Sequence, residues 1–178
     1  DIDWYFTDAD KLGLSFTYTY SKIKDGTEIT PIGQPNAGSR NVIFNKGERQ
    51  GDAPKWQVLG RYGHTFTLSN GATLNPQLKY QWQSEKYDAG LYRPQAYYPN
   101  NRNTRETAIP AFGLLDVSLR VAPAGDRWDV TAYVNNATDE LNIKSLTYDP
   151  NPAGATLGQT LATLGEPRTY GVILTAKF

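Results

Sequence analysis

His64 is the only histidine in a chain of 178 residues that contains no cysteine and no methionine. Those counts narrow the chemistry. Without cysteine there is no disulfide framework, no thiolate metal site and no thiol nucleophile. One imidazole serves no convincing serine–histidine–carboxylate arrangement, and the sequence has neither a phosphate-cradling glycine loop nor a metal-spaced cluster. Neither an enzyme nor a bound cofactor is expected. His64 falls on the apolar side of an alternating stretch, close to a turn, which suits an interfacial aromatic better than a catalyst or ligand. Asp8 with Asp10, and Asp139 with Glu140, are carboxylate pairs that could hold calcium. Polar turn chemistry is the commoner use of such residues.

Two larger sets offer binding chemistry. Arg61, Lys79, Glu85, Asp116, Arg120 and Asp129 bring both signs of charge onto one side of alternating stretches. They are either contacts for something held against that side or the hydrated residues of a wall. Residues 86–110 hold Tyr87, Tyr92, Arg93, Tyr97, Tyr98, Asn100, Asn101 and Arg102. Aromatic faces beside amides and guanidinium groups can stack on and hydrogen-bond a sugar-like or aromatic chelate ligand. They can equally pack one loop on another.

The elements that carry these residues read as β-strands. Successive side chains of a strand point to opposite faces, so a period of two is its mark. In 12–24, Leu12, Leu14, Phe16, Tyr18 and Tyr20 share one face, and Gly13, Ser15, Thr17, Thr19 and Ser21 share the other. In 55–68, Trp56, Val58, Tyr62, Phe66 and Leu68 oppose Gln57, Arg61, Thr65 and Thr67. In 74–85, Leu74, Leu78, Tyr80 and Trp82 oppose Asn75, Gln77, Lys79, Gln81, Gln83 and Glu85. No soluble core would accept that second face. Further strands fall at 114–121 and 128–135, and residues 1–6 read as the end of a strand under way. The last strand sets Arg168, Tyr170, Val172, Leu174, Ala176 and Phe178 against Thr169, Gly171, Ile173, Thr175 and Lys177.

The connections between these strands alternate in length. Residues 7–11, Ser69-Asn-Gly71 and Pro123-Ala-Gly-Asp126 are short turns, and Asn-Gly is a strong hairpin signal. Residues 25–54, 86–110 and 139–166 are long and rich in Gly, Pro, Asn and charge, with a short ordered piece expected at 41–44. Short turns at one end and long loops at the other are the pattern of bacterial outer-membrane barrels, whose long loops are extracellular. The expected fold is therefore all-β, an antiparallel transmembrane barrel wall.

Composition agrees with that expectation. Lys plus Arg and Asp plus Glu are 18 each, so no global field recruits nucleic acid. No apolar run approaches the ~18 residues of a membrane helix, but barrel strands carry only alternate apolar residues. Twelve Tyr and four Trp exceed what a core needs and suit the two membrane interfaces. A chain lacking Met is not expected to begin at its own initiator.

Two stretches carry a family resemblance. Trp128-Asp-Val-Thr-Ala-Tyr-Val-Asn-Asn-Ala-Thr-Asp-Glu140 and Glu166-Pro-Arg-Thr-Tyr-Gly-Val-Ile-Leu-Thr-Ala-Lys-Phe178 resemble the closing hairpin of TonB-dependent outer-membrane receptors, and Ala53-Pro-Lys-Trp56 is similar to the head of one of their descending strands. Such receptors are barrels of about 22 strands with a plugged lumen. The resemblance implies that residues 1–178 are the last seven strands, and that the plug and the earlier strands lie outside this sequence. It implies active uptake of a scarce nutrient, a siderophore-iron or similar chelate or a carbohydrate, across the bacterial outer membrane. The implied partners are the rest of the receptor, the TonB complex through an N-terminal part not present here, the lipid bilayer and the outer-membrane assembly machinery. Tyr170, Val172, Leu174 and the terminal Phe178 resemble the C-terminal signal which that machinery reads. By the same resemblance, Arg61, Lys79, Glu85, Asp116, Arg120 and Asp129 would face the plug. Two other readings stand beside this one: a small pore or adhesion barrel clipped at its first strand, and a soluble secreted β-sandwich that binds a ligand.

Overall fold

The computed structural model describes residues 1–22, 24, 27–29, 42–44, 53–87, 108–149 and 159–177. Its strands are β1 (Ile2–Trp4), β2 (Asp10–Tyr18), β3 (Thr27–Ile29), β4 (Val42–Phe44), β5 (Trp56–His64), β6 (Phe66–Thr67), β7 (Thr73–Gln83), β8 (Lys86–Tyr87), β9 (Ala108–Ile109), β10 (Phe112–Ala122), β11 (Trp128–Asn135), β12 (Ile143–Asp149), β13 (Gln159–Leu164) and β14 (Thr169–Ala176). Seven run in one antiparallel sheet in the order β1-β2-β5-β7-β10-β11-β14, with β6 alongside β7. These are the seven strands expected from the alternation. The sheet is open, because β1 and β14 each have one neighbour among the described residues. No described helix is long and apolar enough to cross a membrane, which says nothing of crossing by strands.

The turns form where the local chemistry asks for them. At Ser69-Asn-Gly71, Gly71 takes φ 79° and donates its N–H to the Leu68 carbonyl at 2.9 Å, while the Asn70 side chain accepts from the Ala72 N–H at 3.0 Å. At the next short turn Gly125 (φ 85°) and Asp126 (φ 47°) both enter the left-handed region, which glycine occupies freely and aspartate tolerates. The expected strand 55–68 is interrupted at Thr65. There the Thr65 N–H turns to the Ala9 carbonyl at 2.8 Å, and the Asn75 amide donates to the His64 carbonyl and the Thr65 hydroxyl. The regular part of the expected strand 12–24 runs instead from Asp10 to Tyr18.

Register puts the apolar residues of neighbouring strands on one face. Leu12, Tyr62, Leu78, Val117 and Val134 stand in a row across five strands, and Leu14, Gly60, Tyr80 and Leu115 form the next. No described residue covers that face. Phe16, Leu78, Leu119 and Trp128 are exposed, and on the edge strand Tyr170, Val172 and Leu174 reach 81%, 69% and 71%. Among the described residues only Ile109, Ala122 and Leu146 are buried hydrophobics. A sandwich buries one face of each sheet against the other; among the described residues the oily face has no partner sheet.

Aromatic rings gather at the two ends of the oily face. Near the short turns Trp4 and Phe6 lie 5.3 Å apart, Phe6 stacks on Tyr62 at 6.4 Å, and His64 meets Phe66 at 4.2 Å. Near the long loops Trp56 meets Tyr18 at 4.2 Å and Phe16 at 5.2 Å, and Tyr20 stacks on Tyr18. The eleven residues of β7 extend ~34 Å along the strand, which at a tilt of about 45° gives a band about 25 Å tall.

The long connections carry structure of their own. Antiparallel pairs β3–β4, β8–β9 and β12–β13 each form a separate two-stranded sheet. β4 coincides with the ordered piece expected at 41–44. The β12–β13 hairpin, inside the stretch expected to be loop, was not legible from alternation, because a register shift between Ile143 and Ser145 breaks the period.

Candidate functional site

The face opposite the oily one is concave, and it encloses an open cavity of about 890 Å³. Its wall is built from the inward positions of β1, β2, β5, β7, β10 and β11. Register lines up Asp3, Gly13, Arg61, Lys79 and Asp116 in a single row across the strands. Arg61 stands directly opposite Lys79, an unfavourable pairing of like charges. Asp116 offsets it, its Oδ2 accepting from Lys79 Nζ at 3.0 Å. No carboxylate among the described residues forms an ion pair with Arg61. The wall therefore presents a guanidinium to the cavity. One row nearer the turns, Gln77, Ser118 and Tyr133 face in, and the Tyr133 hydroxyl lies over Gly171 where a Cβ would come within 2.6 Å of it. A side chain at residue 171 would require the Tyr133 ring to shift.

A second charged cluster closes the turn end of the same face. Arg120 donates to Asp126 at 2.6 Å and to the buried Asp129 at 3.0 Å, and Lys177 also pairs with Asp126. These contacts tie the β10–β11 turn to the end of β14. Hydrogen bonds from Lys177 and then Arg120 hold the Asp126 carboxyl below its ordinary pKa.

At the loop end of β11 the chain folds around Asn136, which is 4% exposed and has φ 49°. Its side chain bonds both to Glu140, accepting from N–H at 2.9 Å and donating to the carbonyl at 2.9 Å, and to the Glu166 carbonyl at 3.3 Å. Asp139 accepts from the Arg168 N–H at 3.1 Å. The two sequence stretches that carry the family resemblance thus meet each other here.

The six charged residues expected on the wall separate into three places. Arg61, Lys79 and Asp116 come together on the cavity wall. Arg120 and Asp129 pair at the turn end. Glu85 lies beyond the end of β7, exposed and away from both groups. Tyr87 is in β8, where the structure describes its backbone only. Tyr92, Arg93, Tyr97, Tyr98, Asn100 and Arg102 lie outside the described residues, as does Phe178.

Asp8 and Asp10 do not form a shared cation site. Asp10 is nearly buried and its carboxylate is already occupied, accepting from Thr7 Oγ1 at 2.5 Å and from the Tyr62 hydroxyl at 2.7 Å, with His64 Nδ1 at 2.6 Å. Asp8 borders the same cavity as Asp10. No group of three or more metal-ligating side chains occurs among the described residues. His64 keeps its expected aromatic contact but also gains a carboxylate. The missed signal was register: once β2 and β5 pair, Asp10 falls directly opposite His64.

No family model and no curated protein sequence matches the chain. Its structure matches the crystal structure of the ferric yersiniabactin uptake receptor FyuA from Yersinia pestis, with a TM-score of 0.63 and 16% sequence identity. The match covers 99% of this chain and 22% of that receptor, so the chain spans about a fifth of its length. At that identity the likeness is one of fold. The chain has an all-β, antiparallel fold like that of the matching part of this uptake receptor.

Proposed function

We propose that these residues are the C-terminal seven strands of a TonB-dependent receptor in the bacterial outer membrane, a transporter that takes up a scarce nutrient. An iron–siderophore chelate is the first candidate cargo and a carbohydrate the second. One observation carries the reading: a seven-stranded antiparallel wall with an uncovered oily face, a hydrated and charged concave face, and connections sorted by length to its two ends. Water on one side and hydrocarbon on the other satisfy both faces at once. The likeness to an uptake receptor supports the same reading.

In this reading Arg61, Lys79 and Asp116 face a plug supplied by the rest of the receptor, and the unpaired guanidinium of Arg61 takes an acidic or carbonyl partner from it. Arg120 and Asp129 brace the periplasmic end, and Glu85 belongs to the rim. Tyr87, Tyr92, Arg93, Tyr97, Tyr98, Asn100 and Arg102 contact cargo from outside, while energy reaches the barrel through TonB and a segment beyond these residues. The assembly machinery engages Tyr170, Val172, Leu174 and Phe178. The decisive experiment uses the full-length gene. Its product should fractionate with the outer membrane, and its deletion should abolish growth on one iron chelate or glycan in a TonB-dependent manner. Recovery in the soluble periplasm would overturn the reading. So would passive, TonB-independent permeation, which favours the small-pore alternative.

A further inference from the structure

The Lys79–Asp116 pair is the first link of a hydrogen-bonded chain that leaves the concave wall. Asp116 uses its two oxygens separately: Oδ2 accepts from Lys79 at 3.0 Å, and Oδ1 accepts from the backbone N–H of Asn136 at 3.0 Å. The Asn136 side chain then holds both stems of the β12–β13 hairpin, through Glu140 on one side and the Glu166 carbonyl on the other. Above that clamp the Gly165 N–H donates to the Asn142 carbonyl at 2.8 Å. The Asn142 amide fills the space a Cβ on Gly165 would need, at 1.7 Å. The hairpin in turn lies against β9, where Ile109 is wholly buried and Leu146 nearly so.

We propose that Asn136 is the positioning residue of the β12–β13 hairpin and that Lys79 and Asp116 set its position from inside the cavity. A group in the cavity that competes for either side chain then loosens the hairpin. This rests on the barrel reading, because it takes the concave face as the lumen and the hairpin as extracellular. The physical reason is burial. At 4% exposure, water cannot replace a bond that Asn136 loses, so an altered Asp116 carboxylate costs the hairpin its anchor. Lys79 fixes which way that carboxylate points. Arg120 provides the contrast, since its ion pairs with Asp126 and Asp129 are of the same kind but sit at the other end of the wall.

The test is hydrogen exchange on the full-length receptor in bilayers, read on peptides covering 143–149 and 159–164. Asn136→Gly removes the side chain while keeping the left-handed φ easy, and should raise exchange there by about tenfold or more. Lys79→Gln should raise it about three- to tenfold, and Arg120→Gln should leave it unchanged. The double variant Lys79→Gln with Asn136→Gly should match Asn136→Gly alone, because the path runs through that side chain. Unchanged hairpin exchange in Lys79→Gln overturns the proposal, as do multiplicative effects in the double variant or an equal rise in Arg120→Gln. If Asn136→Gly does not assemble, Asn136→Asp removes the two donated bonds in the same shape and takes its place in both comparisons. Heat-modifiable migration of the unmodified protein is checked first. Its absence refutes the barrel reading itself, an outcome distinct from failure of the coupling.

Discussion

Replacing Leu78 with arginine puts a guanidinium at the middle of β7, five residues from either end of an eleven-residue strand. Five steps of ~3.4 Å at a tilt of about 45° place it about 12 Å from each interface, too far for its stem to carry the charge fully into water. Leu78 is 46% exposed and stands between Tyr62 and Val117 on the oily face. At that depth an arginine costs about 2–4 kcal/mol, a shift of roughly 30- to 700-fold in the folding equilibrium. Gln77, one residue earlier, points to the opposite face, in register with Ser118. Gln77→Arg should stay within about 0.5 kcal/mol, as for other hydrated surface positions. Trp128→Arg, at the turn-end limit of the band, should cost about 0–1 kcal/mol. Urea titration of the full-length barrel in lipid vesicles measures all three. Equal costs for Leu78→Arg and Gln77→Arg would mean that the two faces meet the same medium, and a neutral Leu78→Arg would remove the hydrocarbon from the argument altogether.

Three further outcomes are expected. Asp10→Ala strands the Thr7 and Tyr62 hydroxyls and the His64 imidazole that now share its carboxylate, and should cost about 1–3 kcal/mol in the same titration; a cost below ~0.5 kcal/mol would show that water already serves those groups. The lowered pKa of Asp126 means its pairing with Lys177 and Arg120 stabilises the fold above the ordinary carboxylate value of 3.8 and is lost as pH falls through the lowered folded value. Amide protection of β14 should therefore weaken on acidification below that value, and Asp126→Asn should flatten this dependence; an unchanged profile in the variant would assign it to other groups. Protease added to intact cells should cut within residues 25–54 or 86–110 and spare 7–11 and 69–71, whereas the reverse pattern would invert the topology.

How far the sequence spoke depended on the range of the signal. Alternation is local, so Leu12–Tyr20, Leu74–Glu85 and Arg168–Lys177 announced both the strands and their two media, and Gly71 and Gly125 announced the turns. The same period placed Arg61, Lys79 and Asp116 on one face, and pairing needed only a shared register to make them one row. What stayed hidden was long-range or out of period. Asn136 stood out only as part of the stretch 128–140, and its role depends on Glu166, thirty residues away. Asp10 read as a turn residue until β5 set His64 and Tyr62 beside it. The β12–β13 hairpin failed the period test because its bulge moves side chains from one face to the other partway along.

Seven is an odd count, and that has a consequence for whatever completes the wall. In an antiparallel sheet of seven, the two outermost strands point the same way: β1 runs toward a short turn, and β14, which follows a long connection, runs toward the same end. Any set of strands that joins both margins by antiparallel seams must begin and end on strands of the opposite sense, so it too must be odd in number. A barrel of about 22 strands satisfies this condition. A second copy of the chain, although it also brings seven strands, does not satisfy it when inserted the same way up, because its margins would meet these in parallel. It could close the ring only upside down, with its long connections on the wrong side of the membrane. Direction alone thus selects against self-assembly, before any side chain is consulted.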